Sequence, residues 1–379
     1  MSKLFETSSI HTLALKNRFF RAATWEGLAS PDGAVSPRLI EMMVALARGG
    51  VGLIISSHAY VSREGQGTPW QLGINDDVLI PGLREMTAAV HRHGGKIALQ
   101  LAHAGQYAEE GLTGLPALAV ADAAHLRDRN VRVVSADDIQ RLVAAYAQAA
   151  ARAVAAGFDG LELHAAHGYF LSQFLSPAYN TRDDEYGGSV GNRTRIHRQI
   201  HQAIRKAVGP DVPLLIKMNC ADFIENGLTA TDSLQAARIL AETGFDAIEV
   251  SGGIIRTGTL SPSRPGITRR DQEAYFRDYA RQFKARISKP LILVGGVRSF
   301  EVADQLVAQG IADYISLSRP LIREPDLINR WQGGDLRKAE CVSDNLCFTP
   351  GFEGRGIGCV TRERQKNKHS SQPLTGEYS

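Results

Sequence analysis

The chain has 379 residues, of which 44% are hydrophobic, enough for a large buried core. Its net charge is only +3 and its basic residues are scattered, which argues against a nucleic-acid-binding face. The N-terminus lacks the apolar region of a signal peptide, no segment approaches a membrane span, and four cysteines do not make a disulfide framework. We therefore expect a soluble, cytoplasmic protein.

Short apolar segments alternate with amphipathic ones along the whole chain. The predicted strands are 18–23, 52–57, 96–101, 160–164, 214–219, 247–251, 291–295 and 314–318. The predicted helices are 36–48, 80–93, 137–156, 192–207, 231–243, 271–286, 300–309 and 325–331. Eight strands, each followed by a helix, predict an α/β fold with a single (β/α)8 TIM barrel over residues 1–335. An open sheet is disfavoured, because the first strand lacks a Gly-rich dinucleotide-binding turn.

Three segments lie outside this repeat. Insertions 104–134 and 253–270 both follow strands, so we expect them to lie on the active face and to wall the pocket. Residues 336–379 form a predicted C-terminal tail.

Polar and small residues gather where the predicted strands end. In a (β/α)8 barrel these ends meet on one face, which carries the active site. The positions are Ala22, Ala23, Thr24 and Trp25, then His58, Gln100, His164 with His167, Lys217, Ser251 with Gly252, Gly295 with Gly296, and Ser318 with Arg319.

The segment that ends at Tyr169 is the most informative of these. His164 and His167 can both donate hydrogen bonds to one substrate oxygen, and Tyr169 can supply a proton nearby. An ordinary pair of loop histidines is the alternative for the first two residues. A zinc site is disfavoured because no third ligand lies at a suggestive spacing, so we predict no metal here.

The other strand ends suit a large phosphorylated heterocycle. Gln100 can both donate to and accept from the polar edge of a ring, and Lys217 can stabilise negative charge that develops on it. Gly295–Gly296 and Ser318–Arg319 follow strands seven and eight, the usual position of a phosphate site in this fold.

Several motifs together carry a resemblance to a known family. They are 15–18 (LKNR), 50–55, 100–105, 164–169 (HAAHGY), 174–177, 184–189 with Asn192 and Arg193, 294–296 and 318–320. Jointly they are very specific, and they extend over residues 4–330. On these residues the chain resembles the old yellow enzymes, which are FMN-dependent ene-reductases. Within that family it is similar to the bacterial branch that includes 2,4-dienoyl-CoA reductase and the barrel domain of 2-enoate reductase.

The resemblance implies an FMN barrel with a ping-pong mechanism, in which NAD(P)H reduces the flavin and the flavin then reduces an activated alkene. His164 and His167 would bind the carbonyl or nitro oxygen of a small α,β-unsaturated substrate, and Tyr169 would protonate its α-carbon. The residues expected to contact the cofactor are Ala22, Ala23, Thr24, His58, Gln100, Lys217, Gly295, Gly296, Ser318 and Arg319. Many relatives are dimers or tetramers, so a homo-oligomer is compatible with this prediction.

The sequence departs from the family pattern at three positions. Lys217 stands where most relatives have arginine, so a point charge replaces a forked donor. Either Thr24 or Trp25 occupies the position that tunes the flavin. His58 replaces a small residue and is expected to narrow the pocket.

The tail carries an incomplete cysteine motif. Cluster-bearing relatives have four cysteines here that bind a [4Fe–4S] cluster. This chain has Cys341, Cys347 and Cys359, with Asp344 at the second position. A lone carboxylate is an unusual cluster ligand, so we expect a degenerate site without a cluster. A cluster that Asp344 helps to bind is the alternative.

Two other functions remain open at this point. Lys217 on the fifth strand could form a Schiff base, as in an aldolase-like lyase, although this leaves Gln100 and the paired histidines without a use. A non-catalytic flavin-binding role is weaker, because the proton donor and both oxygen-binding histidines are present.

Overall fold

Parallel strands close into a barrel in the computed structural model, which describes residues 2–123, 126, 129–255 and 257–370. The strands are β1 (Ser8–Ile10), β2 (Leu13–Leu15), β3 (Phe19–Arg21), β4 (Leu53–Tyr60), β5 (Ile97–Ala102), β6 (Ala117–Ala119), β7 (Val131–Val133), β8 (Gly160–Ala165), β9 (Leu214–Asn219), β10 (Ala247–Ser251), β11 (Leu291–Val294) and β12 (Tyr314–Leu317). The barrel order is β3-β4-β5-β8-β9-β10-β11-β12, closing on β3. The predicted (β/α)8 barrel is confirmed.

Helices follow the barrel strands, as the alternating pattern predicts. They are α1 (Pro37–Arg48), α2 (Ile80–Arg92), α3 (Glu110–Thr113), α4 (Ala136–Ala155), α5 (Phe170–Leu175), α6 (Val190–Arg193), α7 (Arg195–Val208), α8 (Ala230–Thr243), α9 (Arg277–Lys284), α10 (Phe300–Ala308), α11 (Arg319–Arg323), α12 (Leu327–Gln332), α13 (Thr349–Phe352) and α14 (Val360–Ser370). Ser135 caps α4 through a reciprocal pair of hydrogen bonds with Asp138, which explains why this helix was the clearest in the sequence.

Two predicted helices are shorter than expected. The helix predicted over 192–207 is interrupted at Thr194, where α6 ends and α7 begins. The helix predicted over 271–286 is reduced to α9. Positions 124, 125, 127, 128 and 256, within the two predicted insertions, and 371–379, within the predicted tail, lie outside the described residues.

Strand β4 is longer than predicted and includes His58, which was expected to follow the strand. Its pairing with β5 is irregular between Ile55 and His58, and regular pairing resumes with His58 opposite Gln100. An irregularity of this kind re-aims the side chains that follow it. His58 therefore belongs to the rigid barrel wall.

The N-terminal end of the barrel is closed by the β1–β2 hairpin, which the sequence reading missed. Ile10, Leu13 and Leu15 pack in one buried cluster with residues inside the barrel, among them Phe20 and Tyr314. The Tyr314 hydroxyl also donates a hydrogen bond to the Ser9 carbonyl at 3.1 Å. Any cavity inside the barrel must therefore open at the opposite end.

No helix in the part of the chain that the structure describes combines the length and the apolar character needed to span a bilayer.

Candidate active site

A cavity of about 430 Å³ opens at the C-terminal ends of the barrel strands, within the size range of small-molecule pockets. Every residue predicted to contact the substrate or the cofactor lines it: Ala22, Ala23, Thr24, His58, Gln100, His164, His167, Tyr169, Lys217, Gly295, Gly296, Ser318 and Arg319. The charged side chains of this lining are Lys217, Arg298 and Arg319, so its described part is cationic and suits an anionic ligand.

The two predicted insertions contribute differently to the cavity. Ile255 and 261–263, from the second insertion, line it as expected. The described residues of the first insertion do not line it, so that part of the prediction is wrong. They pack behind the wall instead, where Ala104, Ala108 and Ala117 form a small buried cluster with Tyr169.

His164 and His167 lie side by side, with ring centroids 5.2 Å apart. His164 is held by β8, whereas His167 lies just beyond the strand with φ of +63°. Two contacts hold this left-handed backbone and its ring. The His167 N–H donates to Asn219 Oδ1 at 3.1 Å, and its Nε2 lies 2.7 Å from the Ser251 hydroxyl. The His167 backbone and ring are therefore held by the neighbouring strands β9 and β10 before a ligand binds.

Burial keeps both imidazoles uncharged. Desolvation, reinforced by neighbouring cationic groups such as Lys217, holds the pKa of His164 and of His167 well below the usual histidine range. His164 Nδ1 is also buried with no hydrogen-bond partner among the described residues. A neutral imidazole donates one N–H, so the pair can present two donors to one oxygen without carrying a full charge.

Tyr169 completes this end of the cavity together with His58. The Tyr169 ring lies 4.8 Å from the His164 ring, and its hydroxyl lies 3.4 Å from His58 Nε2. Burial raises the pKa of Tyr169 to about 12 and lowers the pKa of His58 to about 4. The phenol therefore keeps its proton at neutral pH, and His58 is a neutral neighbour for it.

Below these side chains, Gln100 and Lys217 reach the cavity from inside the barrel. Gln100 Nε2 donates to Glu162 Oε2 at 2.6 Å, and Lys217 Nζ donates to Glu249 Oε1 at 2.9 Å. The sequence reading missed both glutamates. The available signal was a carboxylate between two apolar residues of a strand that is buried throughout.

Thr24 and Trp25, the two candidates for the flavin-tuning position, have different surroundings. Thr24 Oγ1 lies 2.8 Å from Ser318 Oγ and donates to the Ala22 carbonyl. Trp25 donates its indole N–H to the Pro69 carbonyl, and its ring lies 4.5 Å from that of Phe352 in the tail. Both residues line the cavity, Thr24 beside β12 and Trp25 beside the tail. The hydroxyl of Thr24 is the polar group that this strand end offers.

The C-terminal tail also builds the site, which its sequence did not indicate. Ser343, Asn345, Phe348 and Phe352 line the cavity. Asn345 Oδ1 accepts a hydrogen bond from Arg319 Nη1 at 2.7 Å, which joins the tail to the end of β12. No local motif marks these contacts, because they depend on how the tail folds back over the barrel.

The cysteine motif lies in this folded part of the tail. The Asp344 carboxylate accepts hydrogen bonds from the Leu346 N–H and the Thr361 hydroxyl. Cys341 and Cys347 are buried, and burial raises the pKa of the Cys347 thiol to about 12. The absence of a cluster stays a prediction. Iron and acid-labile sulfide analysis of anaerobically purified protein tests it, and stoichiometric iron would contradict it.

Comparison with known proteins identifies the family. The sequence matches the NADH:flavin oxidoreductase / NADH oxidase family over residues 3–336. The chain belongs to this family. It is 37% identical over 368 residues to an NADH oxidase of Thermoanaerobacter brockii, an alignment that covers 94% of this chain and 55% of that protein. It is 34% identical over 325 residues to an NADPH dehydrogenase of Bacillus subtilis, an alignment that covers 85% of this chain and 92% of that protein.

The fold agrees with this assignment. The old yellow enzyme homologue of Zymomonas mobilis superposes with a TM-score of 0.76 at 26% identity, covering 98% of this chain and 99% of that one. The resemblance to old yellow enzymes is therefore confirmed, at the level of the family and of the barrel fold. The chain spans only about half the length of some curated relatives, including the NADH oxidase.

The predicted phosphate end of the cavity fits the anionic group of FMN, the cofactor that the family implies. Arg298 is buried, and its Nη1 donates to the Cys341 carbonyl at 2.5 Å. Its Nε and Nη2 are buried without a hydrogen-bond partner among the described residues. Such N–H groups suit an anion, and Gly295–Gly296 and Arg319 lie in the same lining. Arg298 was missed in the sequence, although it follows the glycine pair by only two positions.

Gly296→Ala is expected to destabilise the protein and to weaken FMN binding. Gly296 has φ of +77°, and an added Cβ would lie 2.6 Å from Cε1 of Tyr275. The backbone strain lowers the free energy of unfolding by about 1–3 kcal/mol, and the displaced ring disturbs the phosphate end. Thermal unfolding of the apoprotein and quenching of FMN fluorescence measure the two effects. Gly310→Ala is the control, because Gly310 has φ of +66° with open space around it. Equal FMN affinity for wild type and Gly296→Ala would contradict the prediction.

Proposed function

We propose that the protein reduces the C=C bond of small α,β-unsaturated carbonyl or related compounds by a ping-pong reaction. The chemistry that FMN supplies when bound is hydride exchange, first with NAD(P)H and then with the alkene. One observation carries the proposal: His164, His167 and Tyr169 lie together in one cavity. The centroid of the His164 ring is 5.2 Å from that of His167 and 4.8 Å from that of Tyr169. The same cavity holds the residues that suit a flavin.

The two histidines bind and polarise the substrate oxygen. Their N–H groups donate to the carbonyl or nitro oxygen, and these hydrogen bonds strengthen as negative charge develops there. The contacts of His167 with Ser251 and Asn219 fix its ring orientation, so little reorganisation is needed during the reaction.

Tyr169 delivers the proton. Its phenol O–H bond breaks as a C–H bond forms at the α-carbon, and the resulting phenolate is reprotonated from solvent. The high pKa of Tyr169 ensures that the proton is present at neutral pH. His58, 3.4 Å from the hydroxyl, holds the phenol toward the cavity.

A spectroscopic titration tests the proposal directly. The visible absorption of the purified holoprotein is followed during anaerobic addition of NADH or NADPH and then of 2-cyclohexenone. Flavin bands that bleach with the nicotinamide and return with the enone support both half-reactions. Flavin that is reduced but not reoxidised by any activated alkene would contradict the substrate class. A protein that cannot be reconstituted with FMN would instead favour the Schiff-base alternative at Lys217, which borohydride trapping of a carbonyl substrate would support.

The rate of reoxidation by the alkene is expected to be independent of pH between about pH 6 and 9. Burial lowers the pKa of His58 to about 4 and raises the pKa of Tyr169 to about 12, so neither group titrates in this range. The pKa values of His164 and His167 also lie well below it. Single-turnover kinetics in a series of buffers measure the profile. An inflection near about pH 7 would show that one of these histidines ionises during turnover.

A further inference from the structure

Two carboxyl groups are buried together inside the barrel, immediately below the cavity. Glu162 on β8 and Glu249 on β10 are both fully buried, and Lys217 lies between them on the intervening strand β9. Gln100 on β5 is bound to Glu162 on the other side. Gln100 and Lys217 reach the cavity, whereas the glutamates do not line it. The glutamates therefore act on a ligand only through these two neighbours.

Each carboxyl group has one oxygen that is satisfied and one that is not. Glu162 Oε2 accepts from Gln100, and Glu249 Oε1 accepts from Lys217. Glu162 Oε1 and Glu249 Oε2 are buried with no conventional partner among the described residues. The two strands that carry these carboxyl groups are separated only by β9, and Glu249 is one of the groups that act directly on Glu162. A hydrogen bond between the two carboxyl groups uses the two remaining oxygens and requires a proton.

Like charges make the doubly ionised state unfavourable. Two carboxylates in contact, both removed from water, repel each other strongly, and a single Lys217 compensates only one of them. Burial, with the adjacent Glu249 charge as the second cause, raises the pKa of Glu162 well above the usual range. Lys217 and Gln100 act in the opposite direction. One proton shared by the pair resolves both the repulsion and the two unsatisfied oxygens.

We propose that Glu162 and Glu249 share one proton at neutral pH, and that this pair fixes the charge which Lys217 presents to the flavin ring. With the proton in place, the group of Lys217, Glu162 and Glu249 carries no net charge. Without it, the group carries one net negative charge beside the cavity that would hold a flavin, and this charge would oppose the addition of electrons to the ring. Glu162 and Glu249 are thus positioning residues that act through Lys217 and Gln100. The shared proton is independent of the proposed alkene substrate.

Infrared spectroscopy of the holoprotein tests for the proton. We expect a C=O stretching band of a protonated carboxyl group that shifts in D2O and is lost in Glu162→Gln. Glu273→Gln is the control, because Glu273 is also buried but both of its oxygens accept hydrogen bonds from the Arg298–Ser299 segment. Its substitution should leave the band in place. A wild-type spectrum without any such band overturns the proposal, even if Glu162→Gln fails to fold.

The reduction potential of the bound flavin tests the charge balance. If the proton is shared, Glu162→Gln removes one carboxylate together with the shared proton, so the net charge is unchanged and the potential stays at its wild-type value. If both glutamates are ionised, the same substitution removes a negative charge and raises the potential, which would overturn the proposal. Lys217→Gln removes the cation and is expected to lower the potential. This control shows that the flavin potential responds to a change of charge at this position inside the barrel. None of these readouts requires alkene turnover, so their failure is distinct from failure of the proposed function.

Discussion

Tyr169→Phe is expected to slow reduction of an activated alkene by about 10²–10⁴-fold, while reduction of the flavin by NAD(P)H keeps its rate. The substitution removes the proton that the α-carbon must receive and leaves the ring packed against His164. Stopped-flow absorbance in the flavin bands separates the two half-reactions. The difference between them is the signature of a proton donor, because a general loss of structure would slow both.

Tyr60→Phe is the matched control for this variant. The Tyr60 hydroxyl is also engaged in a hydrogen bond, to the Asp32 carbonyl at 2.8 Å, but Tyr60 does not line the cavity. The Tyr60→Phe variant should therefore carry out both half-reactions at rates near those of the wild type. If Tyr169→Phe slowed the two half-reactions equally, its role would be structural and another group would have to deliver the proton.

The variant His164→Ala with His167→Ala should retain FMN but bind phenols and enones at least about tenfold more weakly. Each histidine contributes a hydrogen bond to an oxygen that is partly or fully negative, whereas the proposed phosphate contacts lie on β11, on β12 and in the segments that follow them. Absorbance changes on titration with a phenol give the dissociation constant. The FMN content of the purified variant shows whether the cofactor is retained.

Asparagine supplies a graded control at the same positions. His164→Asn with His167→Asn keeps N–H donors on shorter side chains, so partial recovery of phenol affinity relative to the alanine variant is expected. Unchanged phenol affinity in the alanine variant would remove the proposed oxygen-binding role. Loss of FMN from that variant would instead place the histidines in the cofactor site.

The cavity could be predicted from the sequence because the carboxyl ends of parallel strands must meet at one end of a barrel. This rule alone gathers Gln100 from β5, His164 from β8 and Lys217 from β9, although they are distant in the chain. It does not depend on the precise strand boundaries. His58 was predicted to line the cavity and does so, even though its strand is longer than expected.

Other parts of the site depend on contacts that no local pattern records. Phe352 and Asn345 approach the cavity because the tail folds back onto the barrel, and Arg298 is notable only for its unsatisfied N–H groups. Glu162 and Glu249 each lie between two apolar residues of a buried strand. Their significance follows from the distance between strands, which sequence spacing does not give.

The β1–β2 hairpin has a consequence for the order of events. Since Ile10, Leu13 and Leu15 close one end of the barrel, the cavity opens at the other end. In the proposed reaction a nicotinamide and an alkene would both use this opening, so the two molecules would bind one after the other. Closure of one end of the barrel by the hairpin is thus compatible with the alternating binding that the proposed reaction requires.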